Sequence, residues 1–214
     1  LRSAEWPRGF PGLSSAQQEQ VRRANVLADF AIEAMETAAQ SGAVALLEFP
    51  EDLGTTARGT PASLWRDPAM RKLHDLGAIR AAIYQDEWAQ VPYLKPTGLL
   101  LVRADALVGD VRVKVGWPSF DQNGHYTGPL VRKRSSHPGL IGKTKDGGFK
   151  TTPTAAYPPS LCMGLAGGLF RSWVQLQCRG HARSLTRTFG SPLIHGLLPQ
   201  PPLPEALQVG LPYQ

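Results

Sequence analysis

The sequence reads as an α/β chain, an open sheet with helices packed on it. Two features carry that reading: helical and strand-like apolar periods alternate through the first half, and glycine or proline closes each period. A third adds detail, because 22 Gly and 19 Pro among 214 residues imply long irregular connections around the folded centre.

The first helix starts where Ser15 and Gln18 stand in capping-box spacing, and Val21, Ala24, Ala28, Ala31, Ile32 and Met35 then recur at helical intervals. It should end near Gln40, with Gly42 past its end. Residues 43–47 form an apolar run too short for a helix and bounded by Gly42 and Pro50. That run reads as a buried, parallel, central strand with Glu48 at its C-terminal tip. Residues 62–76 have helical spacing through Leu64, Trp65, Met70 and Leu73, with a break at Pro68 and a stop at Gly77. Residues 79–84 and 97–102 are the next strands, expected as an antiparallel edge pair.

Residues 109–159 have little period and many turn signals, among them Asn123-Gly124, Pro138-Gly139 and Asp146-Gly147-Gly148, so they read as an inserted loop region with a hairpin. A helix opens at Pro158-Pro159 and presents Leu161, Leu165, Leu169, Trp173 and Leu176 on one face as far as Cys178, while Gly164, Gly167 and Gly168 allow close packing. The stretch from Leu198 through Pro204 is Pro-rich and predicts an extended tail that orders against a partner. The expected division is an extension over 1–13, an α/β domain over 14–179 with its insertion at 109–159, and a tail over 180–214.

With 23 Lys+Arg against 17 Asp+Glu, the net charge of +6 favours an anionic partner such as nucleic acid. The longest apolar-leaning stretch, 157–170, ends at Arg171, short of the roughly 20 residues of a membrane-spanning helix, so no span is expected. The opening residues lack the pattern of a signal peptide, and a start at Leu1 reads as a fragment or a processed product. Cys162 and Cys178 on one helix would stand about 24 Å apart, too far to bridge, and two free thiols fit a reducing intracellular compartment.

Several chemistries find no support in the spacing. Gly142-Lys143-Thr144 resembles the end of a phosphate-binding loop, but His137 stands where that pattern needs Gly. The histidines and cysteines have no zinc spacing and no Gly-x-Ser-x-Gly elbow occurs, so neither metal nor cofactor is expected. Arg132, Lys133, Arg134, Lys143, Lys145 and Lys150 form a basic cluster opposed by Asp146 alone, with Trp117, Phe120, Tyr126 and Phe149 interleaved as candidate stacking surfaces for bases. The competing reading is a solvated loop whose aromatics anchor it to the body. Glu48 is the sharper candidate, because open α/β sheets bind ligands at the C-terminal ends of their strands.

The segments Leu46-Leu47-Glu48-Phe49-Pro50, Ser63-Leu64-Trp65, Gln85 and Lys95-Pro96-Thr97-Gly98 together resemble the C-terminal half of DNA cytosine-5 methyltransferase-like reading frames associated with eukaryotic mobile elements. The resemblance spans roughly residues 11–170 and implies an incomplete Rossmann-like methyltransferase sheet. It makes Glu48 the counterpart of the acid that hydrogen-bonds a flipped cytosine. Gln85, Lys95 and Thr97 would then support the same pocket. Phe49 stands where the family has Asn, and no Pro-Cys dipeptide occurs, so no thiolate is at hand for covalent attack on the ring. The expected function is therefore a noncatalytic module that binds nucleic acid through its basic loop. The alternatives are an accessory subunit whose 190–214 tail contacts a protein partner, and a fragment of an active methyltransferase whose methyl-donor loop and nucleophile would precede residue 1.

Overall fold

The computed structural model describes residues 1–91, 93–110, 112–131, 140, 145–148, 152–154 and 156–189, the last of these from 180 onward as backbone. The chain divides into two units, Leu1–Leu176 and Gln177–Gln214. Of the second unit, the described part is helical. Residues 180–189, expected to begin the tail, continue the helix expected to reach about Cys178; the Pro-rich stretch 198–204 lies outside the described residues.

Helix α1 (Ser15–Ser41) begins one residue earlier than its sequence signature suggests. Ser14, in an extended conformation, is the N-cap: its hydroxyl accepts from the Gln17 amide at 3.4 Å and its own amide donates to Gln17 Oε1 at 3.0 Å. Ser15 is already helical and has no capping role, while Gln18 turns its side-chain amide back to the Leu13 carbonyl. At the other end Gly42 adopts φ +77°, which a side chain would strain, and closes the helix.

Strands β1 (Ala45–Pro50), β2 (Ile79–Tyr84), β3 (Pro96–Val102) and β4 (Lys114–Val115) form one sheet in the order β1-β3-β2-β4, with every adjacent pair antiparallel. Two expectations are corrected here. β1 is the outer strand, not a central one, and its hydrogen-bonded neighbour runs antiparallel to it. β2 and β3 do pair antiparallel, but neither is an edge strand, since both lie between β1 and β4. The cause is topological: helix α2 (Pro68–Asp75) carries the chain from β1 to a β2 pointing the same way, leaving a gap of one strand, and β3 returns through it. An apolar run marks burial but does not say whether neighbouring strands or covering helices supply it. In β1 helices do so and only in part: Ala45 and Leu47 are half-buried against the α1 and α2 cluster and Leu46 on the opposite face.

The sheet is thus the middle of three layers. Ile32, Met35 and Ala39 of α1 and Met70 and Leu73 of α2 cover one face through Leu100 and Val102. The other face, carrying Ala81, Ile83, Leu99 and Leu101, is covered by helices α3 (Asp105–Val108) and α4 (Pro159–Phe189) through Leu107 and Leu161. Helix α4 approaches closely because a Cβ on Gly164 would overlap the Trp88 ring and one on Gly168 the Leu107 side chain. Gly167 has no such role, and Trp173, expected on the packed face, is half exposed beside Phe170, 5.9 Å between rings. Ser172 takes the buried position instead, donating to the Gly168 carbonyl and accepting from the Ala106 amide.

Pro68 splits the predicted second helix as expected, into a 3-10 turn over Leu64–Arg66 and α2, which Asp67 caps. The expected hairpin is β5 (Ser119–Phe120) with β6 (Tyr126–Gly128), turning at Gly124 with φ +77°. Among the described residues no helix is long and apolar enough to cross a membrane.

Candidate functional site

The register brings one end of the sheet together. Glu48 faces Leu99 across the β1–β3 pair, Pro50 faces Thr97, and Tyr84 faces Pro96, so Glu48, Gln85, Lys95 and Thr97 converge where β1 and β2 end and β3 begins. Side chains alternate along a strand, so Glu48 shares the α4 side of β1 with Leu46.

Gln85 is fully buried and donates from Nε2 to Thr97 Oγ1 at 3.1 Å; Thr97 in turn offers its proton to the Lys95 carbonyl at 3.4 Å. That relay sets the orientation of the Gln85 amide, because a hydroxyl already donating to a carbonyl must accept from the amide nitrogen. It leaves Gln85 Oε1 buried with no partner. The Lys95 amine donates to the Thr154 carbonyl at 2.9 Å and sits 4.8 Å from the centre of the Tyr157 ring. The Tyr157 phenol is pushed above its ordinary pKa, first by burial and then by a hydrogen bond to Glu48 and that group's charge. Glu48 Oε1 is closed to water and has no hydrogen-bond partner. Two buried acceptors, Glu48 Oε1 and Gln85 Oε1, therefore stand at the same end of the sheet, and each lacks a hydrogen-bond donor.

Behind this end, on the α1 side, a second cluster holds the chain as it leaves β1. Arg80, the second residue of β2, forms a fully buried ion pair with Glu51, donates to the Ala81 carbonyl, and lies 3.9 Å from the centre of the Trp65 ring. Burial outweighs the pairing: the Glu51 carboxyl is held above its ordinary pKa and the Arg80 guanidinium below its own. Tyr126 donates to Glu51 Oε1 at 3.0 Å, and Trp65 Nε1 donates to the Pro50 carbonyl at 2.8 Å. Gly98 leaves the room this needs, since a Cβ there would stand 2.7 Å from Glu51 Oε2 and from the Trp65 ring. The adjacent Asp52 pairs with Arg66.

Trp65 and Gly98 therefore belong to the Glu51–Arg80 cluster on the α1 side, whereas Thr97, through Gln85, stands on the α4 side of the sheet with Glu48. Glu51, Arg80 and Tyr157 had no assigned role in the sequence. A lone arginine inside an otherwise apolar strand, followed by a search for its counter-charge, would have found the first two. Of the basic cluster, Lys145 is described and exposed; Arg132, Lys133, Arg134, Lys143 and Lys150, with Phe149, lie outside the described residues. The remaining candidate stacking aromatics are packed against the body. Trp117 meets Trp65 and His74 edge-on beneath Arg71, and Phe120 meets Tyr126 beneath Arg66. A cleft of about 640 Å³ opens on the opposite face of β1, lined by Leu47 and Phe49, and Glu48 is not part of its wall. Cys162 and Cys178 are free and exposed.

Comparison with known protein families, curated proteins and solved structures found no match.

Proposed function

We propose that the chain is a noncatalytic, methyltransferase-like α/β module that binds nucleic acid. The loop bearing Arg132, Lys133, Arg134, Lys143, Lys145 and Lys150 neutralises phosphates, and the Glu48 end of the sheet receives an extrahelical base. The observation that carries this reading is the pair of buried, unpartnered acceptors, Glu48 Oε1 and Gln85 Oε1, at a strand end shaped by Lys95, Thr97 and Tyr157. The exocyclic amine of a base is one group that supplies the donors such acceptors lack. The chain holds no Pro-Cys segment to attack the ring, so binding without covalent addition is the chemistry open to these residues.

The test is a salt titration of DNA and RNA binding by fluorescence anisotropy. The logarithm of affinity should fall linearly with the logarithm of salt. Charge reversal at Arg132, Lys133 and Arg134 should flatten that slope by about 3, near 0.9 per phosphate contact. Absence of binding at low salt, or a slope unmoved by the reversal, contradicts the proposal.

A further inference from the structure

We propose that the solvent-facing side of helix α4 is a docking site for an acidic amphipathic helix of a partner protein. Leu161, Gly168 and Ser172 hold one face of α4 against the sheet and α3. The opposite face carries Met163, Ala166, Phe170 and Trp173, all exposed. Met163 is 54%, Phe170 40% and Trp173 50% exposed, and the two rings stand 5.9 Å apart as one apolar surface. A helix buried on one face normally sets polar residues on the other, so a second apolar stripe calls for a second neighbour.

The spacing says what kind of neighbour. Positions 163, 166, 170 and 173 alternate steps of three and four, the repeat by which one helix seats its side chains in the holes of another. Ala166 and Gly167 leave a notch between Met163 and Phe170. Gly167 has no use inside the molecule: among the described residues a Cβ there would meet only the flexible end of Arg171, at 3.3 Å, whereas at Gly164 and Gly168 it would strike Trp88 and Leu107. Glycine in mid-helix costs about 0.5–1 kcal/mol against alanine, and close approach of another backbone from outside accounts for that cost. A lipid surface would make no use of the repeat or the notch.

Charge selects the partner. From Pro159 to Phe189 α4 carries Arg171, Arg179, Arg183 and Arg187 and no Asp or Glu. Arg171 is exposed, follows Gly167 by one turn at the side of the notch, and makes no ion pair among the described residues. A second copy of this helix would bring arginine against arginine. The occupant must therefore supply the carboxylates, at the positions that flank its own apolar stripe.

The probe is a synthetic helix of about 21 residues, with Leu at the three-four positions and Glu beside them, titrated into the full chain by calorimetry. A second peptide carries Lys in place of every Glu. The acidic peptide should bind with a Kd of about 100 μM or tighter, and the lysine peptide about tenfold more weakly. Arg171→Glu should weaken the acidic peptide and strengthen the lysine one. Gly167→Ala should raise the melting temperature of the free chain yet weaken the acidic peptide about fivefold, a pair of effects that a purely structural glycine would not give. No binding at about 1 mM peptide, or affinity indifferent to peptide charge or to Gly167→Ala, overturns the proposal. So does self-association of the chain that Trp173→Gln abolishes, which would make a second copy the occupant. Capture by phosphatidylcholine–phosphatidylserine vesicles that Trp173→Gln abolishes overturns it as well, in favour of a lipid surface.

Discussion

Removing the carboxylate of Glu51 while keeping its shape, in Glu51→Gln, leaves the Arg80 guanidinium fully buried with no counter-charge. Breaking such a pair from one side costs about 3–5 kcal/mol. The ring of Trp65, 3.9 Å from the Arg80 guanidinium carbon, and the Ala81 carbonyl persist and offset part of the loss. The cation–π share is about 1–2 kcal/mol, which places the expected destabilisation near the lower end, about 3 kcal/mol. Arg80→Met should cost less, because an abandoned carboxyl can take up a proton and a guanidinium cannot lose one. Its deficit should also depend on pH in a defined direction. Burial holds the Glu51 carboxyl above its unfolded pKa, so its contribution is fully present below about pH 4.3, and is lost as pH rises through the folded value. The double variant Glu51→Gln/Arg80→Met removes both desolvated charges and should return to within about 1–2 kcal/mol of the parent. Urea unfolding followed by circular dichroism, with slopes compared across the four proteins, gives the coupling directly. A loss below about 1 kcal/mol in Glu51→Gln, or single losses that simply add in the double variant, would refute the reasoning.

Other expectations follow from the same contacts. Gly164→Ala and Gly168→Ala should each destabilise by about 1–3 kcal/mol, because the new methyl group meets Trp88 or Leu107. Gly167→Ala, where the nearest neighbour is the flexible end of Arg171, should gain up to about 1 kcal/mol; thermal melts compare the three. Ser14→Ala should cost about 1 kcal/mol by opening the cap with Gln17, whereas Ser15→Ala should cost little, as read from denaturant midpoints. The Glu19 carboxylate, bonded by Arg22 and Arg23, is held down at about 2. Its support of α1 should be present above its unfolded value and lost as pH falls toward 2, a dependence that Glu19→Gln or high salt removes in a pH titration of helix signals.

Where side-chain pattern alone sets local structure, the sequence was legible. Gly42, Pro68 and Gly77 end or split their helices, and residues 79–84 form β2 with its predicted bounds. The neighbours of a strand were not legible, because pairing is settled by the path of the chain between strands. Ala45, Leu46 and Leu47 look central and buried yet form an outer strand that helices cover only in part. Trp117, Phe120 and Tyr126 show a related failure: an aromatic in a Gly-rich stretch suits a base or a core equally, and here Trp65, Arg66 and Glu51 claim them. Of the residues expected around Glu48, Gln85 bonds Thr97 and Lys95 lies over Tyr157, while Tyr157, the residue that meets the acid, comes from distant sequence and carries no local signal.

The most direct test is competitive binding of two DNA duplexes, identical except that one carries an unpaired cytosine and the other an abasic bulge, to the parent chain and to Glu48→Leu. The parent should favour the cytosine duplex by about tenfold, the worth of one or two buried hydrogen bonds, and Glu48→Leu should erase that preference while leaving the salt slope intact. Equal affinity of the parent for both duplexes, or a preference that survives in Glu48→Leu, would contradict the assignment of this strand end as a base-receiving site.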